Sequence, residues 1–216
     1  MASVSDIRRT FLEYFRKNGH EVVGAAEAGL ADQRAISCRK GCGACCRQLV
    51  PISRTEGEAL LALVEAMPKE RRKAVRARFA AAEAAIGGAG LASARLAERD
   101  GRSDRELSVA YFALRVPCPF LEEESCSIHP DRPLVCREYL VTSPAELCAG
   151  PAQAGVTPVP VPKLSLAARR LQDEEDSWFP LAMLMAWSRK PRRSTPRRPG
   201  TEWVQRFLKS LTSLKS

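Results

Sequence analysis

The eight cysteines of this 216-residue chain fall into two dense blocks, SCRKGCGACCRQL and VPCPFLEEESCSIHPDRPLVCREYLVTSPAELC. Thiolate sulfur binds zinc and iron–sulfur clusters, and ligands that are a few residues apart converge on one centre with little loop to order. Cysteines that only fill a core would not need such clustering. We therefore expect a metal centre whose candidate ligands are all eight cysteines: Cys38, Cys42, Cys45, Cys46, Cys118, Cys126, Cys136 and Cys148.

The adjacent pair Cys45 and Cys46 limits how the first block can bind metal. Successive side chains point in different directions, so both sulfurs rarely ligate a single tetrahedral ion. The two would bind different metals or different irons of one cluster, or one would ligate while the other packs. Gly41 and Gly43 let the backbone of this block turn sharply enough to aim several sulfurs inward.

Two kinds of metal centre are compatible with eight thiols. Structural zinc would be satisfied by two four-thiolate sites, whereas a [4Fe–4S] cluster needs four thiolates and leaves the others for a second cluster or for chemistry. Positive neighbours favour thiolate over thiol and would offset the charge of an anionic iron–sulfur site. The cations that flank the two blocks are Arg39, Lys40, Arg47, Arg132 and Arg137. These flanks, the vicinal pair and the irregular spacings favour a [4Fe–4S] cluster, although thiolate suits zinc as well.

Other catalytic chemistry has little support in the sequence. The chain has two histidines, and neither His20 nor His129 belongs to a nucleophile–base pattern. We expect His20 to be a surface or core residue and His129 to lie in a turn without a metal role. The acidic runs at 122–124 and 173–176 are expected to be solvated turns. No catalytic residue can be assigned, and whether the chain is an enzyme stays open.

The net charge of +9 comes mainly from one short, proline-containing stretch. Residues 189–198 hold six cations and no acid, so the rest of the chain carries 9 − 6 = +3. The candidate anion-binding residues are Arg189, Lys190, Arg192, Arg193, Arg197 and Arg198. The stretch is either a solvated linker or a docking site for an acidic partner. It lacks interleaved aromatic residues for base stacking, so nucleic acid is not an expected partner.

Helical patterning dominates the segments that must position these residues. A first helix carries Ile7, Phe11 and Phe15 on one face. Capping boxes, in which a serine is followed three residues later by a glutamate, begin two further helices at Ser53–Glu56 and Ser103–Glu106. Residues 89–101 are expected to form a short helix between them.

Prolines and apolar periodicity predict the remaining helices. Pro68 suits the start of a long helix, and Pro133 and Pro144 begin short helices around Cys136 and Cys148. Residues 164–171 and 180–187 are also expected to be helical. A last amphipathic helix carries Trp203, Phe207 and Leu211, whereas strand-period alternation is nearly absent.

These elements predict a mostly α fold, a small helical domain organised around irregular cysteine-rich loops. Residues 1–150 would form the helical cysteine-cluster domain that binds metal. Residues 151–216 would supply a proline-rich connector, the basic loop and C-terminal helices that pack on the same domain.

The two blocks resemble the YkgJ-type cysteine-cluster family, described as a zinc- or iron-chelating CxxCxxCC domain and also related to flagellin lysine N-methylases. The matching residues are the four cysteines at 38–46, CPFL at 118–121 and CSIHPDRPLVCR at 126–137. The stretch SPAELCAG resembles short members, which supports Cys148 as a ligand. Two departures are the three-residue gap between Cys38 and Cys42 and the histidine at His129, where many members carry an aromatic residue.

The resemblance implies a metal-binding protein with an electron-transfer or metal-handling role. Two alternatives stay open: an iron–sulfur-dependent enzyme that modifies protein side chains, as the methylases do, and a structural zinc protein that docks on nucleic acid or an acidic partner through its basic loop. The longest apolar run, at 178–187, is about ten residues and too short to cross a bilayer. We therefore expect a cytoplasmic protein with no membrane span, a bound metal ion and no identified protein partner.

Overall fold

The computed structural model of the chain describes residues 36–39, 41–91, 103–150, 155–161, 163–171, 178–190 and 198–213. The expected first helix with Ile7 and Phe11 lies outside these residues, and so do His20, the acidic run at 173–176 and most of the expected helix at 89–101.

The described part of the chain is mainly helical, as the sequence predicts. Its helices are α1 (Arg54–Glu65), α2 (Lys69–Gly88), α3 (Asp104–Ala113), α4 (Leu134–Glu138), α5 (Leu164–Arg169), α6 (Leu184–Ser188) and α7 (Gly200–Ser213). Short 3-10 turns occur at Ala44–Arg47, His129–Asp131, Ala145–Ala149 and Leu181–Met183. None of the described helices is both long enough and apolar enough to cross a membrane.

The helix starts follow the signals in the sequence. Both capping boxes form. The Ser53 and Ser103 hydroxyls each accept a hydrogen bond from the amide of the glutamate three residues later, and the carboxylate of that glutamate accepts a hydrogen bond from the serine amide. Pro68 and Pro133 lie directly before α2 and α4. The expected short helix around Cys148 is present as the 3-10 turn Ala145–Ala149, not as an α-helix.

Two antiparallel strand pairs were not expected from the sequence. Strand β1 (Pro51–Ile52) pairs with β4 (Phe179–Pro180), and β2 (Leu121–Glu122) pairs with β3 (Ser125–Cys126). Each strand is two residues long, which is too short for an alternating pattern to appear. The expected helix over 180–187 therefore begins later, as a 3-10 turn that leads into α6.

The main core lies between α1, α2 and the second cysteine block. Its buried residues include Ile52, Leu60, Val64, Val75, Phe79, Phe120, Ile128, Phe179, Leu181 and Leu184. The rings of Phe79 and Phe120 meet edge to face with their centroids 5.3 Å apart. Cys118 and Cys126 pack against this core. The core thus fixes the backbone from which these two cysteines project.

The C-terminal helices continue this packing. Helix α5 contributes Leu164 and Ala167 to a smaller apolar cluster with Phe207 of α7. The buried Glu138 carboxylate at the end of α4 accepts hydrogen bonds from the Ser165 amide and hydroxyl at 2.7 and 2.6 Å. Burial raises the pKa of Glu138, and the two bonds from Ser165 oppose that shift. Helix α5 is therefore attached directly to the helix that carries Cys136.

Candidate metal centre

Main-chain hydrogen bonds hold the two cysteine blocks together. The Cys118 amide donates to the Cys46 carbonyl at 2.7 Å, and the Ser37 amide donates to the Val141 carbonyl at 2.9 Å. The Gln48 side chain donates to the Cys148 carbonyl at 2.9 Å. The two blocks are far apart in sequence, so these contacts bring the sulfurs of both blocks to one region of the fold.

The first block is a tight loop that depends on its two glycines. Gly41 has a φ of 85°, and the Cys42 amide donates to the Arg39 carbonyl at 3.1 Å. The chain then forms the 3-10 turn Ala44–Arg47, which carries Cys45 and Cys46. A Cβ atom at Gly43 would lie 2.8 Å from the Glu124 carbonyl oxygen, so only glycine allows this close approach. Gly41 turns this loop as expected, whereas Gly43 has an ordinary φ of −99° and is needed for the close approach to Glu124 instead.

The turn between β2 and β3 closes against the first block. Glu123 and Glu124 have φ angles of 48° and 55°, which non-glycine residues seldom adopt. The Arg47 guanidinium donates to both Glu124 carboxylate oxygens, at 2.9 and 2.6 Å, and holds the pKa of that carboxyl below its ordinary value. Arg78 forms an ion pair with Glu122. The acidic run at 122–124 is thus a turn, but two of its three carboxylates are paired with arginines rather than simply solvated.

Four thiols from both blocks form one mutually interacting set, here called the inner group: Cys45, Cys118, Cys126 and Cys136. Burial raises the pKa of Cys136 well above its ordinary value, and repulsion from the other three thiolates adds to the shift. Burial and the Cys126 and Cys45 thiolates raise the pKa of Cys118 to about 12. The Cys45 thiol of the first block therefore lies close enough to raise the pKa values of all three second-block thiols.

The elements around the inner group explain why these four sulfurs converge. Cys45 lies in the first-block 3-10 turn, Cys118 follows α3, Cys126 ends β3 and Cys136 lies in α4. Cys118 and Cys126 pack against the main core, the Cys118 amide holds the first-block turn at Cys46, and the Leu134 amide joins α4 to α1. The convergence is thus a result of the fold, beyond the short spacing within each block.

A second set of thiols lies beside the first and is here called the outer group: Cys38, Cys42 and Cys148. Burial raises the pKa of Cys148, which is 3% exposed, and repulsion from the Cys45, Cys38 and Cys42 thiolates adds to it. Burial also raises the pKa of Cys38, with further contributions from Cys45 and Cys42. The Cys45 thiol therefore acts on the pKa values of thiols in both groups.

The vicinal cysteine Cys46 stays close to its neighbour. A hydrogen-bond contact with the Cys46 thiol is the largest cause that raises the pKa of Cys45, followed by burial. The Glu124 carboxylate raises the pKa of Arg47, and the Cys46 thiolate adds to that shift. All eight cysteines are free thiols.

Tyr139 is a feature of this region that the sequence analysis did not identify. Its hydroxyl oxygen is buried and has the Cys148 thiol as its hydrogen-bond partner. Burial raises the pKa of Tyr139 above its ordinary value, and contact with the Cys148 thiol adds to the shift. The Cys38 sulfur lies 3.9 Å from the Tyr139 carbonyl oxygen. The position of Tyr139 between Cys136 and Cys148 in the sequence was the one signal that could have drawn attention to it.

The two cations that flank the second block both act on thiols, but Arg137 acts on Cys126 alone and also holds backbone carbonyls. The charge of Arg132 lowers the pKa values of Cys38, Cys45, Cys126 and Cys136. Arg137 is buried and donates to the backbone carbonyls of Arg132 and Pro130. Arg39 is exposed, and Lys40 lies outside the described residues.

The thiols surround a common region without forming a closed site. Within the described ranges, no three cysteine, histidine, aspartate or glutamate side chains are arranged so that they could hold one metal ion as they are placed. His129 is exposed in the 3-10 turn His129–Asp131, as expected for a turn residue. The sulfurs would have to move closer together to ligate a metal.

The basic stretch contributes fewer free charges than its composition indicates. Arg189 pairs with Glu83 of α2 at 2.7 Å, and Arg198 pairs with Glu202 of α7. Lys190 is exposed, whereas Arg192, Arg193 and Arg197 lie outside the described residues. Two of the six candidate anion-binding cations therefore have acidic partners within the chain.

Comparison with known proteins supports metal binding for this region. A family model with the description "CxxCxxCC: Putative zinc- or iron-chelating domain" matches residues 37–152, which include all eight cysteines. No curated protein and no solved structure matches the chain. The match extends over more than half of the 216 residues, and the chain belongs to the CxxCxxCC family.

Proposed function

We propose that this chain is a cytoplasmic iron–sulfur protein whose inner group of cysteines holds the cluster and which transfers electrons or handles metal. The observation that carries the proposal is the mutual interaction of Cys45 with Cys118, Cys126 and Cys136. Four thiols from two distant blocks supply the complete ligand set of a [4Fe–4S] cluster.

The donor chemistry of the inner group fits such a cluster. Thiolates are soft ligands that suit iron–sulfur clusters and zinc alike. Cys118 and Cys126 pack against the core that contains Phe120 and Ile128, which limits the access of water to these two sulfurs. When bound, a cluster of this kind supplies one-electron transfer, with a potential set by charge, hydrogen bonds and solvent exposure.

The charge around the inner group favours iron–sulfur over zinc. Arg132 acts on three of the four inner sulfurs, and its positive charge would offset the negative charge of a cluster with four thiolate ligands. The contact between Cys45 and Cys46 supplies a fifth sulfur close to the same centre. Two structural zinc sites are the alternative within the same family description.

We also propose that residues 151–216 belong to the same domain as the cysteine blocks. Phe179, Leu181 and Leu184 pack with Leu60 and Val64 of α1 in the main core. Hydrogen bonds to Glu138 attach α5 to the helix that carries Cys136. This packing supports one cooperative unit in which metal binding and folding are coupled.

The proposal is tested by purifying the full chain without oxygen and measuring iron, acid-labile sulfide and zinc per chain. We expect iron and sulfide in equal amounts near four per chain, a brown colour and an electron paramagnetic resonance signal after reduction. Two zinc ions per chain without sulfide would replace the iron–sulfur proposal with the zinc alternative. Substoichiometric levels of all three elements after reconstitution would contradict both.

A further inference from the structure

We propose that the first half of α2 is a docking surface for an acidic protein. This surface, here called the α2 basic surface, consists of four cationic side chains, of which Arg72 is half-buried and the others are exposed: Lys69, Arg71, Arg72 and Lys73. The inference goes beyond the proposed function. It does not depend on which metal the cysteines hold, because it rests on charges and contacts outside the cysteine groups.

The positive charge of this part of α2 exceeds what the rest of the fold balances. Residues 69–78 hold six cations and a single acid. Arg76 pairs with Glu65 at the end of α1, and Arg78 pairs with Glu122 of β2. Within the part of the chain that the structure describes, the four cations of the α2 basic surface have no carboxylate partner. Their charge is therefore available to an anionic partner.

Main-chain carbonyls orient two of the four cations. The Arg71 guanidinium donates to the Ser127 carbonyl at 2.9 Å, and the Arg72 guanidinium donates to the Glu65 carbonyl at 2.8 Å. A carbonyl fixes the direction of a guanidinium but leaves its positive charge in place, whereas a carboxylate would neutralise it. The two arginines are thus held in position with their charge intact, which lowers the entropy cost of binding a partner.

The spacing of the cations opposes the stability of the helix. Lys69 and Lys73 are four residues apart, and Lys69 and Arg72 are three apart, so like charges are neighbours on the surface of α2. Like-charge pairs at these spacings destabilise a helix. Folding stability therefore does not explain this arrangement, whereas recognition of an anionic partner does.

The composition of the α2 basic surface fits a protein partner better than a nucleic acid. Residues 69–78 contain no aromatic side chain on which a base would stack. Four uncompensated cations are also fewer than the about six to ten phosphate contacts that strongly salt-dependent DNA binding involves. In protein complexes, a few complementary charges steer association and fix the orientation of the partners.

A partner on this surface would lie beside the second cysteine block. Ser127, whose carbonyl holds Arg71, directly follows Cys126. The Ser127 amide and hydroxyl both donate to the Phe120 carbonyl at 2.9 Å, and the Phe120 ring packs against Phe79 of α2. The α2 basic surface is thus attached to the segment that carries the cysteines of the second block.

The test measures binding of a fluorescently labelled glutamate-rich peptide to the full chain by fluorescence anisotropy. Single- and double-stranded DNA of equal charge serve as the comparison probes. We expect the wild type to bind the peptide with an affinity that falls as salt is raised. The double variant Lys69→Glu/Lys73→Glu should bind it about tenfold more weakly or worse, because like charges then face each other.

The matched control is Arg105→Glu/Lys209→Glu, which makes the same change in net charge at exposed positions of α3 and α7. Its affinity for the peptide should stay within about twofold of the wild type, because charges away from the docking surface are screened.

The single variant Lys69→Glu separates binding from folding. It replaces a like-charge pair with a glutamate four residues before Lys73, which should raise the Tm by about 1–3 °C. The same change should weaken peptide binding by about threefold or more. A lysine that served only the fold would not produce this combination of higher stability and lower affinity.

Three results would contradict the inference. They are an unchanged peptide affinity in Lys69→Glu/Lys73→Glu, an equal loss in this variant and its matched control, and a Tm of Lys69→Glu that falls together with its affinity. Tighter binding of either DNA than of the peptide, lost in the same double variant, would replace the acidic protein with a nucleic acid. Because no cysteine is altered, iron, sulfide and zinc contents should equal those of the wild type in every variant, so the proposed function is tested separately by its own metal analysis.

Discussion

The backbone amide of Cys118 donates a hydrogen bond to the carbonyl oxygen of Cys46, and this 2.7 Å contact joins the two cysteine blocks through the main chain. The contact places Cys46, which follows Cys45, directly against Cys118, the first cysteine of the second block. The polypeptide itself therefore sets how the blocks face each other, and metal binding has only to draw the side chains inward. Because the fold and the metal have separate roles, the effects of a substitution on folding stability and on metal binding are measured side by side.

Replacement of Phe120 should affect both stability and metal binding. Phe120 is fully buried and lies between Cys118 and Cys126, with its ring against Phe79 of α2. Phe120→Ala should lower the free energy of unfolding by about 3–5 kcal/mol because it leaves a large cavity. It should also lower the metal content, since the backbone that carries two inner cysteines loses its anchor.

The matched control for this change is Phe79→Ala, which removes the other ring of the same pair from a helix without cysteines. Urea denaturation should give a similar loss of stability, about 3–5 kcal/mol. Metal content measured on folded protein should stay closer to the wild-type value than in Phe120→Ala. Equal metal loss in the two variants would mean that Phe120 has no specific effect on the site.

Glu56 links the start of α1 to the helix that carries Cys136. One carboxylate oxygen closes the capping box with Ser53, and the other accepts from the Leu134 amide at 2.9 Å. Glu56→Ala should lower the free energy of unfolding by about 2 kcal/mol, because it removes a cap and leaves the Leu134 amide without its acceptor. The control is Glu106→Ala in the exposed capping box of α3, for which we expect about 1 kcal/mol. Thermal denaturation of both variants measures the difference, and equal losses would show that the bond to Leu134 contributes nothing.

Gly57 permits close packing of α1 against an aromatic pair. The rings of Phe179 and Trp187 stack at 4.4 Å, and a Cβ atom at Gly57 would lie 2.6 Å from Phe179 and 3.2 Å from Trp187. Gly57→Ala should destabilise the fold by about 1–3 kcal/mol through overpacking, despite the better helix propensity of alanine. Gly87→Ala in α2, where a Cβ meets no atom within 4 Å, should stabilise by up to about 1 kcal/mol. A stabilised Gly57→Ala, measured by chemical denaturation, would contradict this packing.

Arg132 should tune the metal centre through its charge. Its guanidinium favours the thiolate forms of Cys45, Cys126 and Cys136 and donates to the His129 carbonyl at 3.2 Å. Arg132→Gln should weaken metal binding by about tenfold and make the reduction potential of a bound cluster more negative, because a compensating positive charge is lost. Arg132→Lys keeps the charge and should stay near the wild type in both measurements. If the lysine and glutamine variants behave alike, the effect of Arg132 is structural rather than electrostatic.

The helical elements were predictable because their signals are local. The serine–glutamate capping boxes at Ser53 and Ser103, and the prolines before α2 and α4, lie within one turn of the boundaries they set. The pairing of Ile52 with Phe179 was not predictable, since two-residue strands carry no periodic pattern and their partners are distant in the chain.

The candidate ligands were predictable as residue types but not as groups. Cysteine spacing indicates a metal centre, yet it does not say that Cys45 acts on both Cys136 and Cys148, because that depends on packing between the blocks. Tyr139 was missed because its contact with the Cys148 thiol arises only in the folded chain. Arg132 and Arg137 have the same charge, but only the tertiary structure shows that Arg137 serves backbone carbonyls.

The central claim is that sulfurs from both blocks ligate the same metal. X-ray absorption at the metal edge counts sulfur neighbours directly, in the wild type and in Cys45→Ser and Cys136→Ser, one variant from each block. We expect sulfur ligation in the wild type, and in both variants the loss of sulfur neighbours at the same metal centre together with its partial or complete release. A metal with only oxygen and nitrogen neighbours, or a metal environment that changes in one variant and stays intact in the other, would contradict a centre shared between the blocks.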